Sequence, residues 1–477
     1  MAATTWTNFY SGPANFNDQA KAIALDGGGN VYVTGQSFGN GTSYDYATIK
    51  YSSNGIAIWT NRFNGAGNSG DSALALAVDS SSNVFVTGQS YNLQGNLGFA
   101  TIKYSSAGIA LWTNLYSGES AGKILAVDTS GNVYVTGVGK TIKYSNAGVA
   151  LWTNQFVGQG SVACSAIDGS GNLYLAGQSG RFCTVKYSGN GSGIWTNFFV
   201  GTANGSDSIT SMAIDGSGNV LVTGGSYSSN YYLDYDYVTI KYSSAGVALW
   251  TNKYNGPTDD DDKTFAIGVD TNANVYVTGI SFDRFSAGIS CVTIKYSSNG
   301  FGLWTNYYGP STMLANSLGV DDAGNVYLPA SPRQGGAYNF AVIKYSIAGV
   351  ALWTNIFNGP GNSDDLLSKL LVDKNGDVCL AGSSLTSANG YYYTTIKYLG
   401  NPPLPITLTE QLLGGSKIRI SAVGLTGINY ALERNFNLQS TNWIPQLTNL
   451  ADSTGVLIFT NTPNPTTNNF WRIRSVP

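Results

Sequence analysis

The side chains in this chain that could carry acid–base or metal chemistry are almost all aspartates. Of the 27 acidic residues only Glu119, Glu410 and Glu433 are glutamates, and histidine is absent. No His general base, Ser-His-Asp arrangement or His-ligated metal is therefore available. A reacting carboxylate pair would have to be built from Asp, and Asp234 or Asp236 opposite Asp262 offers one; glycosidases set such a pair about 5 to 9.5 Å apart. Carboxylate runs also suit Ca2+, for which Asp259, Asp260, Asp261 and Asp262 are candidates. A second acidic set, Asp18, Asp71, Asp207 and Asp365 with Asp262, recurs at one offset. It could form a partial carboxylate ring for a divalent cation, or each Asp could cap its own turn. Exposed aromatic rings mixed with charges, at Tyr231, Tyr232, Tyr235 and Tyr391 to Tyr393 beside Asp234, Asp236, Asp283 and Arg284, suit a carbohydrate or a cationic peptide. Cys164, Cys183, Cys291 and Cys379 lack metal-like spacing and are expected to be buried thiols.

The elements that must position these residues follow from an internal repeat. Three phrases recur eight times in fixed order. The first is an apolar stretch ending in Asp, then a turn, Asn and alternating apolar residues, as in Ala24-Leu25-Asp26 with Asn30 to Gly35. The second is Thr48-Ile49-Lys50-Tyr51, and the third is Trp-Thr-Asn, first at Trp6. Each unit of about 40 to 55 residues reads as four strands, A ending at the Asp, B as Val-Tyr-Val-Thr-Gly, C as Thr-Ile-Lys-Tyr and D carrying Trp-Thr-Asn. Four strands per unit make a propeller blade, and bulky residues on both faces of B and C suit sheets packed between neighbours. The chain opens on a D strand and its eighth C strand ends at Tyr398 with no Trp-Thr-Asn after it. The expected fold is thus all-β, an eight-bladed β-propeller over 1–400 closed by the N-terminal strand, which leaves no open edge. A Pro-rich linker at 401–405 and a small C-terminal β-sandwich at 406–477 follow.

The phrases resemble the SBBP-type β-propeller repeat of bacterial secreted proteins, whose unit runs roughly Asp-x-x-Gly-Asn-Val-Tyr-Val-Thr-Gly, then Lys-Tyr, Gly and Trp. That resemblance implies export and a propeller, and it implies no activity. The pattern of Tyr430 to Glu433, Trp443, Phe459 and Phe470-Trp471-Arg472 is similar to the fibronectin-like C-terminal modules of secreted bacterial proteins, which implies anchoring or sorting.

Half of the lysines sit in Thr-Ile-Lys-Tyr, a register with no use at a free surface, so pairing with an Asp or with turn carbonyls is expected. Eight Trp at one position are expected to fill gaps between blades rather than to stack on sugars. Function should lie where the units differ. The D-to-A and B-to-C loops share one face and vary, whereas the turns on the other face are nearly uniform. The net charge of -3 gives no basic field for nucleic acid, and no apolar run reaches membrane-spanning length. The start Met1-Ala2-Ala3 lacks a signal-peptide pattern, so an exported parent would already have lost that segment. The sequence reading is a secreted, periplasmic or cell-surface binding protein. It has no required cofactor, Ca2+ is an option, and its ligand is an extracellular carbohydrate or protein. The alternatives are a polysaccharide hydrolase or lyase using Asp carboxylates, and a protein-assembly scaffold.

Overall fold

The structure is a computed structural model that describes residues 4–118, 122–158, 160–178, 180–201, 206–228, 234–283, 288–309, 317–373, 375–386, 390–400, 409–413, 417–423, 429–437, 443–450, 456–463 and 469–476. It divides into two compact units, Met1–Gly400 and Asn401–Pro477. Among the described residues every regular element is a strand, and no helix is long and apolar enough to cross a membrane.

Among the described residues of the first unit the strands form eight antiparallel four-stranded sheets, numbered here by repeat unit, and one two-stranded sheet of Arg333–Gln334 and Ala337–Tyr338. Sheet 1 holds strands Asp18–Leu25, Val31–Phe38, Tyr44–Tyr51 and Ala57–Phe63 as A to D. Sheet 8 takes Asp365–Val372, Val378–Thr386 and Gly390–Tyr398 from the end of the repeat and Thr4–Tyr10 from the chain start. Thr4–Tyr10 pairs antiparallel with Gly390–Tyr398, placing Trp6 opposite Lys397. Strand A of each sheet neighbours strand A of the next, from sheet 1 to sheet 8 and back to sheet 1.

The hydrophobic core is split among the seams between sheets. In sheet 1, Tyr32 and Tyr46 pack with Val84, Val86 and Ile102 of sheet 2, while Val31, Val33 and Ile49 pack with Cys379, Ala381 and Tyr393 of sheet 8. Alternate residues of one strand thus enter opposite seams, which is why strands B and C are apolar on both faces. The second unit has two three-stranded sheets that share one core, Ile418, Ile420, Leu457 and Phe459 meeting Tyr430, Leu432 and Trp471. The linker expected at 401–405 lies outside the described residues.

Candidate functional site

The repeated polar residues meet on the face of the A-to-B and C-to-D turns, and there they join neighbouring sheets. In sheet 1 the Asp26 carboxylate accepts from Gly28 N, Asn30 N, Asn30 Nδ2 and the Tyr32 hydroxyl at 2.8 to 3.0 Å, which fixes the turn. The lysine of strand C reaches the same locus. Lys143, Lys241 and Lys397 pair with Asp128, Asp215 and Asp373 at 3.3, 2.8 and 3.3 Å. Lysines also donate across the seam, Lys50 to Ser106 O at 3.0 Å and Lys241 to Ser298 O at 3.2 Å. The Trp indole of the same sheet donates to that same carbonyl, as Trp59 to Ser106 O at 3.1 Å does, and Asn61 donates to Gly108 O at 2.6 Å. A Cβ on Gly108, whose φ is +84°, would stand 2.8 Å from the Trp59 indole, so the turn needs glycine for both conformation and contact. Burial works against the charge of Asp215, but hydrogen bonds from Lys241 and Asn219 hold its carboxyl below the usual range. These lysines, tryptophans and aspartates are joints between sheets, as the repeat implied.

On the opposite face the predicted ligand residues fare differently. Tyr231, Tyr232 and Arg284 lie outside the described residues, as does the Asp283 side chain, although the Asp283 backbone ends a strand opposite Gly288. Asp234 and Asp236, expected as exposed carboxylates, are 5% and 6% exposed. Strand C of sheet 5 extends past the loop, and Asp236 faces Ser226 across the ladder instead of solvent. Tyr235 is half-buried, with its ring 4.5 Å from Tyr227 and its backbone N bonded to Asp261. Tyr392 reaches Asn15 Oδ1 at 2.8 Å and Tyr391 N binds Asn17 Oδ1, but Tyr393 is fully buried in the seam between sheets 8 and 1, not on the loop face.

The carboxylate ring does not form. Among the described residues no three acidic or cysteine side chains come together as a metal site requires. Each recurring Asp turns into its own D-to-A loop: Asp18 accepts from Gly12 N and Phe38 N, Asp71 from Gly65 N and Tyr91 N, Asp207 from Gly201 N and Tyr227 N, and Asp365 from Gly359 N. Asp262 accepts from Gly256 N in the same way. The run Asp259 to Asp261 is a loop in repeat register that leads into strand A of sheet 6 at Asp262. Asp259 has φ +53° and accepts from Asn255, at the place Asn15, Asn68 and Asn362 hold in their loops. Asp261 binds Tyr235 N as Asn17 binds Tyr391 N, and it pairs with Lys263 at 3.1 Å. Capping geometry accounts for the spacing of these acids.

A row that the sequence reading did not single out crosses sheet 1 on this face. Asp18, Ser37 and Asp45 stand opposite one another on strands A, B and C, and Arg62 reaches in from strand D. Its guanidinium donates to Asp45 Oδ2 at 2.7 Å, Ser37 O at 3.0 Å, Ser37 Oγ at 2.5 Å and the Tyr10 hydroxyl at 3.1 Å. Sheet 5 repeats the row with Asp207, Ser226 and Asp236, but Lys253 takes the place of Arg62. Lys253 is exposed and makes no ion pair with a described carboxylate. The Ser226 hydroxyl, fully buried, and the Oδ1 atoms of Asp234 and Asp236 have no hydrogen-bond partner. Asp45 Oδ1 is also unpartnered, so the contrast rests on the serine and on the missing guanidinium. Burial first, then the neighbouring Asp234 charge, pushes the Asp236 carboxyl up to about 6. Asp262 is likewise raised to about 6, by burial first and also by Asp236 and Asp234. The signal for this row was available in Tyr44-Asp45-Tyr46 and Tyr235-Asp236-Tyr237, which align while Arg62 and Lys253 differ.

Burial raises the Cys164 and Cys379 thiols to about 12 and Cys183 to about 11, the chemistry of core thiols and not of nucleophiles. Two concavities among the described residues lie beside these loci. One, of about 770 Å³, lies among the turns of sheets 1 and 8, where Lys397 bridges Asp373 and Asp377. The other, of about 150 Å³, lies between sheets 5 and 6 and is lined by Tyr235, Thr210 and Lys263.

No protein-family model matches the chain, and no curated protein matches it significantly in sequence. Solved structures do match. The Dos1 propeller aligns with 84% of this chain and 96% of its own at a TM-score of 0.54 and 10% identity. A virginiamycin B lyase from Staphylococcus aureus covers 72% of this chain and 97% of its own at a TM-score of 0.41 and 10% identity. At such identities the first likeness bears on fold alone, and the second is too distant to bear on anything. Together with the four-stranded sheets, the likeness to the Dos1 propeller makes the first unit a β-propeller.

Proposed function

We propose that this chain is a secreted or cell-surface binding protein without catalytic activity, built on an eight-bladed propeller that the N-terminal strand closes. The pairing of Thr4–Tyr10 with Gly390–Tyr398 supports that closure, as do the Trp6 bond to Ser53 O at 3.0 Å and the Trp353 bond to Gly400 O at 3.3 Å. Export rests on the resemblance of the repeat. The C-terminal unit, with its two small sheets, serves as a tether in this reading.

One observation carries the binding role. The repeated Asp, Lys, Trp and Asn are engaged in joints on the turn face, while polar residues that differ from unit to unit, including Asp234, Tyr391 and Tyr392, stand at the opposite face. A fixed frame with one face of varying loops is how repeat architectures present a ligand site. A polysaccharide hydrolase or lyase is the second reading, and the raised carboxyls of Asp236 and Asp262 favour it. Their near-complete burial favours holding a charge over reaching a polysaccharide. Arrays of glycans and cationic peptides, probed with the full chain, test the reading. Binding that is lost in Asp236→Asn or Tyr392→Ala and kept in Ser170→Ala, on the turn face, supports it. Turnover of a polysaccharide that Asp236→Asn abolishes would replace it with the enzyme, and a ligand insensitive to both loop-face variants would move the site elsewhere.

A further inference from the structure

The two equivalent rows make one sheet a template for the other. In sheet 1 the space bounded by Ser37, Asp45 and Tyr10 is filled by the Arg62 guanidinium, which lies flat enough to give four hydrogen bonds to three residues. Sheet 5 repeats the backbone hydrogen bonds of the row, with Phe199 of sheet 4 where sheet 8 offers Tyr10 to Arg62. Asp207 holds Gly201 N and Tyr227 N as Asp18 holds Gly12 N and Phe38 N, and Ser226 faces Asp236 as Ser37 faces Asp45. What differs is the filling. Lys253 stands on strand D opposite Val238, as Arg62 stands opposite Ala47, yet its side chain stays at the surface. The Ser226 hydroxyl is left buried and unpartnered, and Asp234 adds a carboxylate where sheet 1 has Ser43.

Resting on the binding role proposed above, we infer that the Ser226–Asp236 row of sheet 5, with Asp234, receives a guanidinium from outside, the arginine side chain of a peptide or protein partner. Three arguments choose guanidinium over other cations. The same positions in sheet 1 hold one, with the serine hydroxyl and carbonyl and the aspartate spaced for a planar fork. The acceptors of sheet 5 stand in a row and do not converge into a group of three that could hold a metal ion. An unpartnered buried hydroxyl beside a buried carboxylate is costly unless a donor arrives, so an incoming fork satisfies groups that this chain leaves unsatisfied. The way in is the one Arg62 uses, along strand D, where Lys253 is exposed. The groups facing the row are Asp207, Asp234, Asp236 and Lys253 of sheet 5, Asp259 of the following loop and Asp262 at the start of strand A of sheet 6, so a net negative field surrounds the incoming charge.

The test is calorimetry and thermal melting of the full chain with N-acetyl-arginine amide and a short arginine peptide. Citrulline amide serves as the neutral isostere, and calcium chloride is run alone. The expected result is saturable binding of both arginine probes, no binding of citrulline, and at least about tenfold weaker binding in Asp236→Asn. Lys253→Arg is the decisive variant, because it supplies the guanidinium within the chain. It should melt higher than the parent and no longer bind the arginine probes. Citrulline binding as well as arginine, or Lys253→Arg leaving both melting and binding unchanged, would overturn the inference. So would a calcium-dependent rise in melting that Asp236→Asn removes. If the arginine probes fail while the arrays still find a ligand sensitive to Tyr392→Ala, the guanidinium site falls and the binding role stands. If the probes bind but the arrays find no loop-face ligand, the guanidinium site stands without the broader role.

Discussion

Sheets 1 and 5 have the same strand pairings around this row and nearly the same residues, and they end in opposite states. Sheet 1 closes its row of Asp18, Ser37 and Asp45 with Arg62, whose ion pair to Asp45 is 2.7 Å long. Sheet 5 ends its row in a lysine that does not reach. A compact ammonium on a flexible stem cannot serve a carboxylate, a hydroxyl and a carbonyl at once as a planar fork can. Arg62 against Lys253, together with Tyr10 against Phe199 and Ser43 against Asp234, thus separates an internal joint from a row left with unpartnered acceptors, in a fold whose related sheets allow such a comparison within one molecule.

Several substitutions would break or sharpen that contrast. Arg62→Met should have the largest effect, a loss of about 3 kcal/mol in unfolding free energy by denaturant melting, because it leaves Asp45 buried without its charge partner. Adding Asp45→Asn should recover part of that loss. A melt unchanged by Arg62→Met would remove the template on which the comparison rests. Next in size, Lys253→Arg should raise the melting temperature by about 2 to 4 °C as sheet 5 gains the joint of sheet 1.

The pH dependence follows from signs. Asp236 and Asp262 have folded pKa values near 6, raised above the ordinary carboxylate range, and Asp18, Asp71 and Asp365 are raised as well, all with burial as the leading cause. For these groups the folded state binds more protons than the unfolded state, so their contribution to stability is greatest below the unfolded pKa of about 4. It is lost as pH rises through each folded pKa, which for Asp236 and Asp262 is about 6. Asp26, Asp128, Asp168 and Asp215 are lowered despite burial, and their contribution is lost in the other direction, as pH falls below about 4. Melting should therefore be higher at pH 5 than at pH 7, with a smaller difference in Asp236→Asn. Binding of the arginine probe should strengthen over the same interval as the carboxylates ionise. Smallest of all, Asp259→Asn should change stability by less than about 0.5 kcal/mol, since Asn15, Asn68 and Asn362 occupy that turn position in other loops. A large loss there would revive a role for the acidic run beyond capping.

Much of this was legible in the sequence, for a physical reason. Lys50, Trp59 and Asn61 recur because each unit must bond the turn of the next, and a joint repeated around the molecule leaves a periodic trace. The all-β strands and their turns followed from the same trace. The loop-face residues left no such trace. Asp236 reads as a soluble acid between two tyrosines, and only the register across three strands turns it toward Ser226 and into the seam. Asp18 and Asp262 looked like members of one cluster because they share an offset. An offset repeated in separate sheets instead places each carboxylate in a separate loop, beside its own Gly N–H. Reading down columns of the repeat finds joints, whereas comparing the two units that share Tyr-Asp-Tyr, at Tyr44 to Tyr46 and Tyr235 to Tyr237, would have found Lys253 where the other unit has Arg62.

The most direct test of the account is a carbon-detected NMR titration of the Asp236 carboxyl in the parent chain, in Lys253→Arg, and in the parent saturated with N-acetyl-arginine amide. The account predicts a midpoint near pH 6 in the parent, falling into the ordinary carboxylate range in both other samples as a guanidinium settles on the row. A parent midpoint already near 4, or one that neither arginine moves, would contradict the claim that sheet 5 lacks and accepts the group that sheet 1 supplies for itself.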